Sequence, residues 1–214
     1  SNKFQGKSVI DGDELQRAAL DEFDQLVEKL RQADLNIIQF DDTPEPPTPD
    51  SVFPNNWISM HADGTVVLYP MEAINRRTER RSDIVTFLKN NFFVNHILDD
   101  TTLNEQNNLF LEGTGSMVLD REHNIAYASI STRTNEKLFK DWCKKMNFKS
   151  VSFQSHDNNK PIYHTNVLMS ICQYVVFICL DAVTNHVDKE MLMLEFSSTN
   201  KEVINISKTQ MNNF

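Results

Sequence analysis

The same succession of segments runs three times along this sequence: a polar motif, two short β-rich runs, an amphipathic helix and a further strand. In the first pass "FPNNW" leads into "WISMHADGTVVLYP", where Asp63-Gly64 between β-rich runs is a strong hairpin signal. A helix over residues 77–91 and a strand over 93–98 complete that unit. In the second pass "LEGTG" precedes a hairpin from Ser116, a helix over 136–145 and a strand over 148–153. In the third, "YHTNV" precedes a hairpin from Val167, a helix over 187–196 and a strand over 202–206. The motif positions Asn55, Glu112, His164 and Asn212 are spaced by about 50 residues, a period typical of repeat architectures.

The ends of the chain hold fragments of the same pattern. Leu15, Ala18, Ala19, Phe23, Leu26, Val27 and Leu30 recur at spacings of three and four, one face of an amphipathic helix over residues 12–34, and a strand is expected over 36–40. No hairpin accompanies them, while "MNNF" at 211–214 opens a unit that does not continue. Three whole units, at about 52–98, 111–154 and 163–207, with remnants at 1–40 and 208–214, imply an α/β fold of five units. Closed around an axis as a five-bladed α/β propeller, such units leave no sheet edge unpaired. Residues 1–214 then form one domain, truncated at both ends. Residues 41–50 carry four of the seven prolines and read as a surface loop.

Composition narrows the class of function. With 214 residues, 40% of them hydrophobic, the chain can bury a substantial core, and its net charge of -9 argues against a nucleic-acid partner. Arg76, Arg77, Arg80 and Arg81 are its only tight basic cluster. The longest apolar run, residues 175–180, is far too short to cross a membrane, and the polar start is no signal peptide, so a cytoplasmic protein is expected. Cys143, Cys172 and Cys179 form no CxxC motif and read as reduced thiols. His61, His96, His123, His156 and His186 show no ligand spacing, so no metal and no cofactor is expected.

In a closed array the segments entering the hairpins converge at one end of the axis. Asn55, Asn56, Glu112, His164 and Asn166 would then meet: a carboxylate, an imidazole and several amides suited to acid–base chemistry on a small molecule. Each has a structural reading alone, as a turn asparagine, a loop acid or a histidine before a strand. Their recurrence at matching places in three repeats favours a site.

The segments "DSVFPNNWISMHADGTVVLYPMEAINRRTERR", "LFLEGTGSMVLDREHNIAYASIS" and "YHTNVLMSI" resemble the arginine deiminase/amidinotransferase superfamily, and most closely its citrulline-utilisation branch. The resemblance covers nearly the whole chain. It implies a five-bladed α/β propeller and a cysteine nucleophile that attacks the central carbon of a guanidino or ureido group. By motif match Glu112 resembles the site carboxylate and His164 the general acid/base. Arg77, in "NRRTER", resembles an arginine of the segment that binds the substrate's carboxylate, with Arg76 beside it as an alternative.

Asn56 and Asn166 stand where arginine-processing members carry aspartates. A guanidinium is an all-donor cation suited to paired carboxylates, whereas a ureido group is neutral and adds a carbonyl acceptor. Asparagine offers a donor and an acceptor, so both residues are expected to select a ureido substrate, citrulline first, with ornithine, ammonia and carbon dioxide as products. In the resembled family the nucleophile lies near the C-terminus, and it is expected beyond Phe214, leaving these residues alone inactive. Two alternatives stand beside this reading: an arginine deiminase or amidinotransferase acting on a guanidinium, and a non-catalytic propeller that binds an amino acid or a protein.

Overall fold

A computed structural model describes residues 12–43 and 45–213, which fall into two compact units, residues 1–49 and 50–214. In the first, helix α1 spans Gly12–Gln32 with Lys29 and Arg31 in its last turn, where cations complement the helix dipole. The strand expected over residues 36–40 does not form: no ladder is assigned to this stretch. Its apolar composition suits a ladder, but a strand exists only where a second strand runs beside it.

The second unit contains the three repeats. Strands β1 (Ile58–Met60) and β2 (Thr65–Leu68) pair antiparallel, and β3 (His96–Asp99) pairs parallel to β2. Two parallel strands cannot be joined by a tight turn, so helix α2 (Ser82–Asn91) makes the crossover. After the short helices α3 (Thr101–Gln106) and α4 (Gly113–Ser116), the second sheet repeats this order. It consists of β4 (Val118–Asp120), β5 (Ile125–Ser129) and β6 (Lys149–Phe153), with crossover helix α5 (Glu136–Lys145).

A two-stranded ribbon, β7 (His156–Asp157) and β8 (Lys160–Pro161), turns through Asn158 and Asn159, both at positive φ as a tight hairpin requires. The third sheet comprises β9 (Met169–Ile171), β10 (Val175–Ile178) and β11 (Glu202–Asn205), crossed by α6 (His186–Ser198), and the described chain ends with α7 (Lys208–Met211). Asn135 and Asn185 cap α5 and α6 through their side chains, and Ser207 with Gln210 forms a capping box on α7. Among the described residues no sheet closes on itself.

Several boundaries differ from the sequence reading, among them the start of β3, at His96 rather than residue 93. The helix expected from residue 77 is divided into a 3₁₀ segment, Ile74–Glu79, and α2. The segment is held apart because Arg76 and Glu79 turn inward to pair with each other and Arg76 with Asp50. For the same reason the end of the proline-rich loop is not at the surface: Asp50 is buried against that cation.

The cores lie in the seams between successive sheets. Tyr127, Val151 and Phe153 of the second sheet pack with Leu168, Val176 and Ile178 of the third under Leu192 and Phe196 of α6. Val67 and Tyr69 of the first pack with Ala126, Ala128 and the α5 residues Phe139 and Trp142. Lys201, fully buried, pairs with Asp120 of β4 and donates to the carbonyls of Cys172 and Gln173, tying the third sheet to the second. None of the described helices is long and apolar enough to cross a membrane.

Candidate active site

The hairpin of each three-stranded sheet is entered through a single helical turn, and these turns carry the motifs. Pro54–Asn56 leads into β1, Gly113–Ser116 into β4 and Thr165–Val167 into β9. Pro54 presets the first turn and lacks the amide hydrogen that would be left over there. The turns lock onto each other. Gly113 sits at φ +48°, where a Cβ would lie 2.1 Å from the Asn55 carbonyl oxygen, so glycine is required both for its conformation and for the close approach. Thr165 Oγ1 donates to the Ser116 carbonyl at 2.5 Å and accepts from Ser129 N at 2.7 Å, fixing the third turn on the second.

This lock brings Glu112 and His164 together. His164 Nε2 lies 2.7 Å from Glu112 Oε2, and Glu112 Oε1 accepts from Glu72 N at 2.9 Å. Both side chains are buried, Glu112 completely. Burial alone would raise the Glu112 pKa, but the His164 hydrogen bond, the charges of His164 and Arg133, and the Glu72 amide outweigh it and hold the group below its ordinary value. Burial lowers the His164 pKa, reinforced by Arg133 and Arg76 and only partly offset by Glu112. The shifts favour the carboxylate on one side of the contact and the neutral imidazole on the other. A carboxylate only accepts, so Nε2 carries the proton of this contact and Nδ1 is the ring nitrogen left for proton exchange.

Nδ1 faces Gly115. A Cβ at residue 115 would lie 2.8 Å from His164 Nδ1 and 2.6 Å from Asn56 Nδ2, so the absent side chain leaves room for both groups. Asn56 is buried, and its Oδ1 accepts from Arg76 Nη1 at 2.9 Å. The arrangement offers an acceptor backed by a carboxylate and an amide donor beside it, the equipment for moving a proton at a polarised carbonyl or amidine carbon.

The other candidates are placed differently. Asn55 is half-buried and contributes its backbone carbonyl to the turn contact, accepting from Thr114 Oγ1 at 3.5 Å. Asn166 is exposed and lines a cleft of about 360 Å³ with Thr114, Arg121 and Ser170. Arg76 lies beneath Asn56, bonded to Glu79 and Asp50. Arg77 donates to the Met71 carbonyl, pairs with Glu105 and lies over the Phe110 ring. Cys143 and Cys179 are buried, and burial raises both thiol pKa values, that of Cys143 to about 12. Cys172, exposed, follows the far end of β9 from His164.

Sequence reasoning missed Arg133 and Glu72. Arg133 is buried, 3.6 Å from Glu112 Oε2 and 3.3 Å from Glu72 Oε2, with its guanidinium over the Tyr163 ring. A signal was available: Arg133 follows its hairpin and precedes its helix, as Arg76 and Arg77 do one unit earlier. Among the described residues no cluster of three or more His, Cys, Asp or Glu is placed to hold a metal ion.

A family model described as N,N dimethylarginine dimethylhydrolase, eukaryotic, matches residues 1–214, the whole chain. The chain belongs to this family. Like its solved neighbours, the dimethylarginine dimethylhydrolase family lies in the arginine deiminase/amidinotransferase superfamily, as the three motifs implied. ArgZ, an arginine dihydrolase from the ornithine–ammonia cycle in cyanobacteria, superposes with a TM-score of 0.70 at 19% identity, over 92% of this chain and 29% of that one. The N-terminal domain of ArgZ is matched over 67% of its length, with a TM-score of 0.69. A dimethylarginine dimethylaminohydrolase adduct with a chloropyridine superposes with a TM-score of 0.62 at 15% identity, over 91% of this chain and 69% of that one. Identities this low establish a shared α/β fold. No curated protein sequence matches the chain significantly.

Proposed function

We propose that this dimethylarginine dimethylhydrolase family member is part of a cytoplasmic hydrolase that cleaves the ureido group of citrulline, giving ornithine, ammonia and carbon dioxide. The observation that carries the proposal is the convergence of Asn56 Nδ2 and His164 Nδ1 beside Gly115, with Glu112 behind the imidazole. A donor at position 56 suits the carbonyl oxygen of a ureido group better than the all-donor face of a guanidinium. The three repeats fit three blades of a five-bladed α/β propeller, the remainder lying outside these residues.

In this reading His164 Nδ1 takes the proton of a cysteine thiol, and the thiolate adds to the ureido carbon. The substrate's δ-amine leaves with a proton from His164, and a thiocarbamate ester remains on sulfur. His164 Nδ1 then takes a proton from water, which displaces the thiolate, and returns it to the sulfur. The carbamic acid released falls apart to ammonia and carbon dioxide. Glu112 keeps Nε2 protonated and steadies the imidazolium that forms within each step while Nδ1 holds a proton. Asn55, Asn166 and Arg77 are assigned to substrate binding, and Arg133 with them because it adds positive charge beside Glu112.

The nucleophile is assigned to a cysteine outside these residues. Cys143 and Cys179 are inert by burial, and Cys172 follows β9, a strand about 10 Å long, at the end opposite the turn that carries the His164 motif. A cysteine-to-serine variant of the ArgZ N-terminal domain holds substrate, which supports a cysteine in that role. Residues 1–214 alone are then inactive.

The family's own description favours a second reading, hydrolysis of a methylated guanidinium. The deciding measurement is ammonia and amine release by the full-length protein given citrulline, arginine or dimethylarginine separately. Ornithine from citrulline supports the proposal; dimethylamine from dimethylarginine, with citrulline untouched, supports the second reading. Replacing Asn56 and Asn166 together by Asp is expected to shift preference from ureido to guanidinium.

A further inference from the structure

Arg76 is one of the most deeply buried charges in the chain, at 2% exposure, and nearly everything around it accepts hydrogen bonds. Its Nε lies 3.2 Å from Asp50 Oδ2 and 3.0 Å from Glu79 Oε1, and its Nη2 lies 2.8 Å from Glu79 Oε2 and 3.4 Å from the Asp50 carbonyl. Glu79 is itself held by the Asp50 backbone amide at 3.1 Å. These bonds orient the planar guanidinium and leave Nη1 aimed at Asn56 Oδ1, 2.9 Å away.

An arginine can only donate. The atom of Asn56 that meets Nη1 must therefore be the oxygen, and the nitrogen must be the atom turned toward Gly115 and His164. An unrestrained asparagine could rotate its amide by half a turn and present an acceptor to a cationic substrate. Here that rotation would place an NH₂ group against a buried guanidinium.

We propose that Arg76, held by Asp50 and Glu79, is a positioning residue that locks the Asn56 amide with its donor toward the reacting carbon, and that this lock discriminates a ureido oxygen from a guanidinium nitrogen. The choice of substrate rests on the function proposed above; the lock itself does not. Arg76 meets no substrate in this scheme, although its place in the "NRRTER" segment made it a candidate for binding one. The segment divides its work: Arg76 acts through Asn56 from below, and Arg77 stands over Phe110.

The test is a double-mutant cycle in the full-length protein, read as the ratio of kcat/KM for citrulline to that for arginine. Arg76→Gln is expected to lower the ratio roughly ten- to a hundredfold, the worth of one charge-assisted hydrogen bond. Arg76→Lys, which still only donates, should retain most of it. In an Asn56→Ala background Arg76→Gln should change the ratio no further, because the lock has nothing left to hold. If Arg76→Gln alone does not fold, Arg76→Gln/Glu79→Gln keeps the formal charge of the cluster and is read the same way. A folded variant with an unchanged ratio, or an equal effect of Arg76→Gln with and without Asn56, overturns the lock. A wild-type preference for arginine overturns the substrate reading alone, and the cycle still decides whether Arg76 acts through Asn56.

Discussion

Glu112 Oε2 lies 2.7 Å from His164 Nε2, although the two residues belong to different repeats and arrive on different helical turns. Neither turn would hold the pair alone. Thr165, bridging Ser116 and Ser129, sets the distance between them. Charge and tautomer follow from that contact, and the acid–base chemistry follows from both.

Glu112→Gln keeps the side chain's shape but makes the Nε2 partner neutral. In the full-length protein it should lower kcat/KM by about 10²–10⁴-fold. The acidic limb of the pH–rate profile reports His164, and it should lie below 6.5 because burial lowers that pKa. Glu112 is among the groups that raise His164, so the variant's limb should move lower still. A limb unmoved by the substitution would assign it to another group.

Gly115→Ala tests the convergence directly. The added methyl would come within 2.6 Å of Asn56 Nδ2 and 2.8 Å of His164 Nδ1, so one of them must move. Activity should fall more than about tenfold while the melting temperature changes little, since a 1 Å displacement at a reacting centre can cost about 10²-fold. Gly113→Ala should instead prevent folding, because it combines a positive φ with a clash against backbone.

Asn56→Asp would place a third carboxylate around Arg76, which Asp50 and Glu79 already engage. The ligand-free protein should lose a few kcal/mol of stability, roughly the scale of an uncompensated buried charge. Burial gives the new acid a raised pKa, so the deficit should grow as pH rises through that value and shrink in acid. Differential scanning at pH 5 and pH 8 measures both.

Stability should also fall in acid in the wild-type protein. His61, held between Ser59 and Arg121, has its pKa lowered to about 4, first by burial and then by Arg121, with Asp63 opposing. Its folded value is below the unfolded value of 6.5, so the contribution is complete above 6.5 and is lost as pH falls toward 4. Glu112 and His164, both lowered, act with the same sign. His61→Gln should flatten the melting temperature profile between pH 6.5 and 4.

Lys201→Met would leave the Asp120 carboxylate buried with His123 as its remaining side-chain partner and would strip two carbonyls of their donor. The expected cost is about 3–5 kcal/mol, measured by urea denaturation. Lys201→Met/Asp120→Leu should recover much of it, since the missing charge then has no counterpart to strand.

The sequence by itself determined the repeat and its local elements. Apolar periodicity, Asp63-Gly64 and the spacing of the motifs are properties of neighbouring residues, and they mark the hairpins, the crossover helices and the superfamily without knowledge of packing. Glu112, His164 and Asn56 were legible as candidates because the repeat singled out their positions. The tertiary structure decided whatever depends on pairing across units. Residues 36–40 have strand composition but no ladder, because hydrogen bonds need a second chain segment. The helix expected from residue 77 begins at Ser82, because Arg76 and Glu79 gain more by pairing in the interior than by continuing a surface helix. Arg133 and Glu72 were invisible for the same reason: a charge can be buried only against a partner, and that partner is distant in sequence. The sense of the Asn56 amide depends on an arginine 20 residues away, and no local pattern could have revealed it.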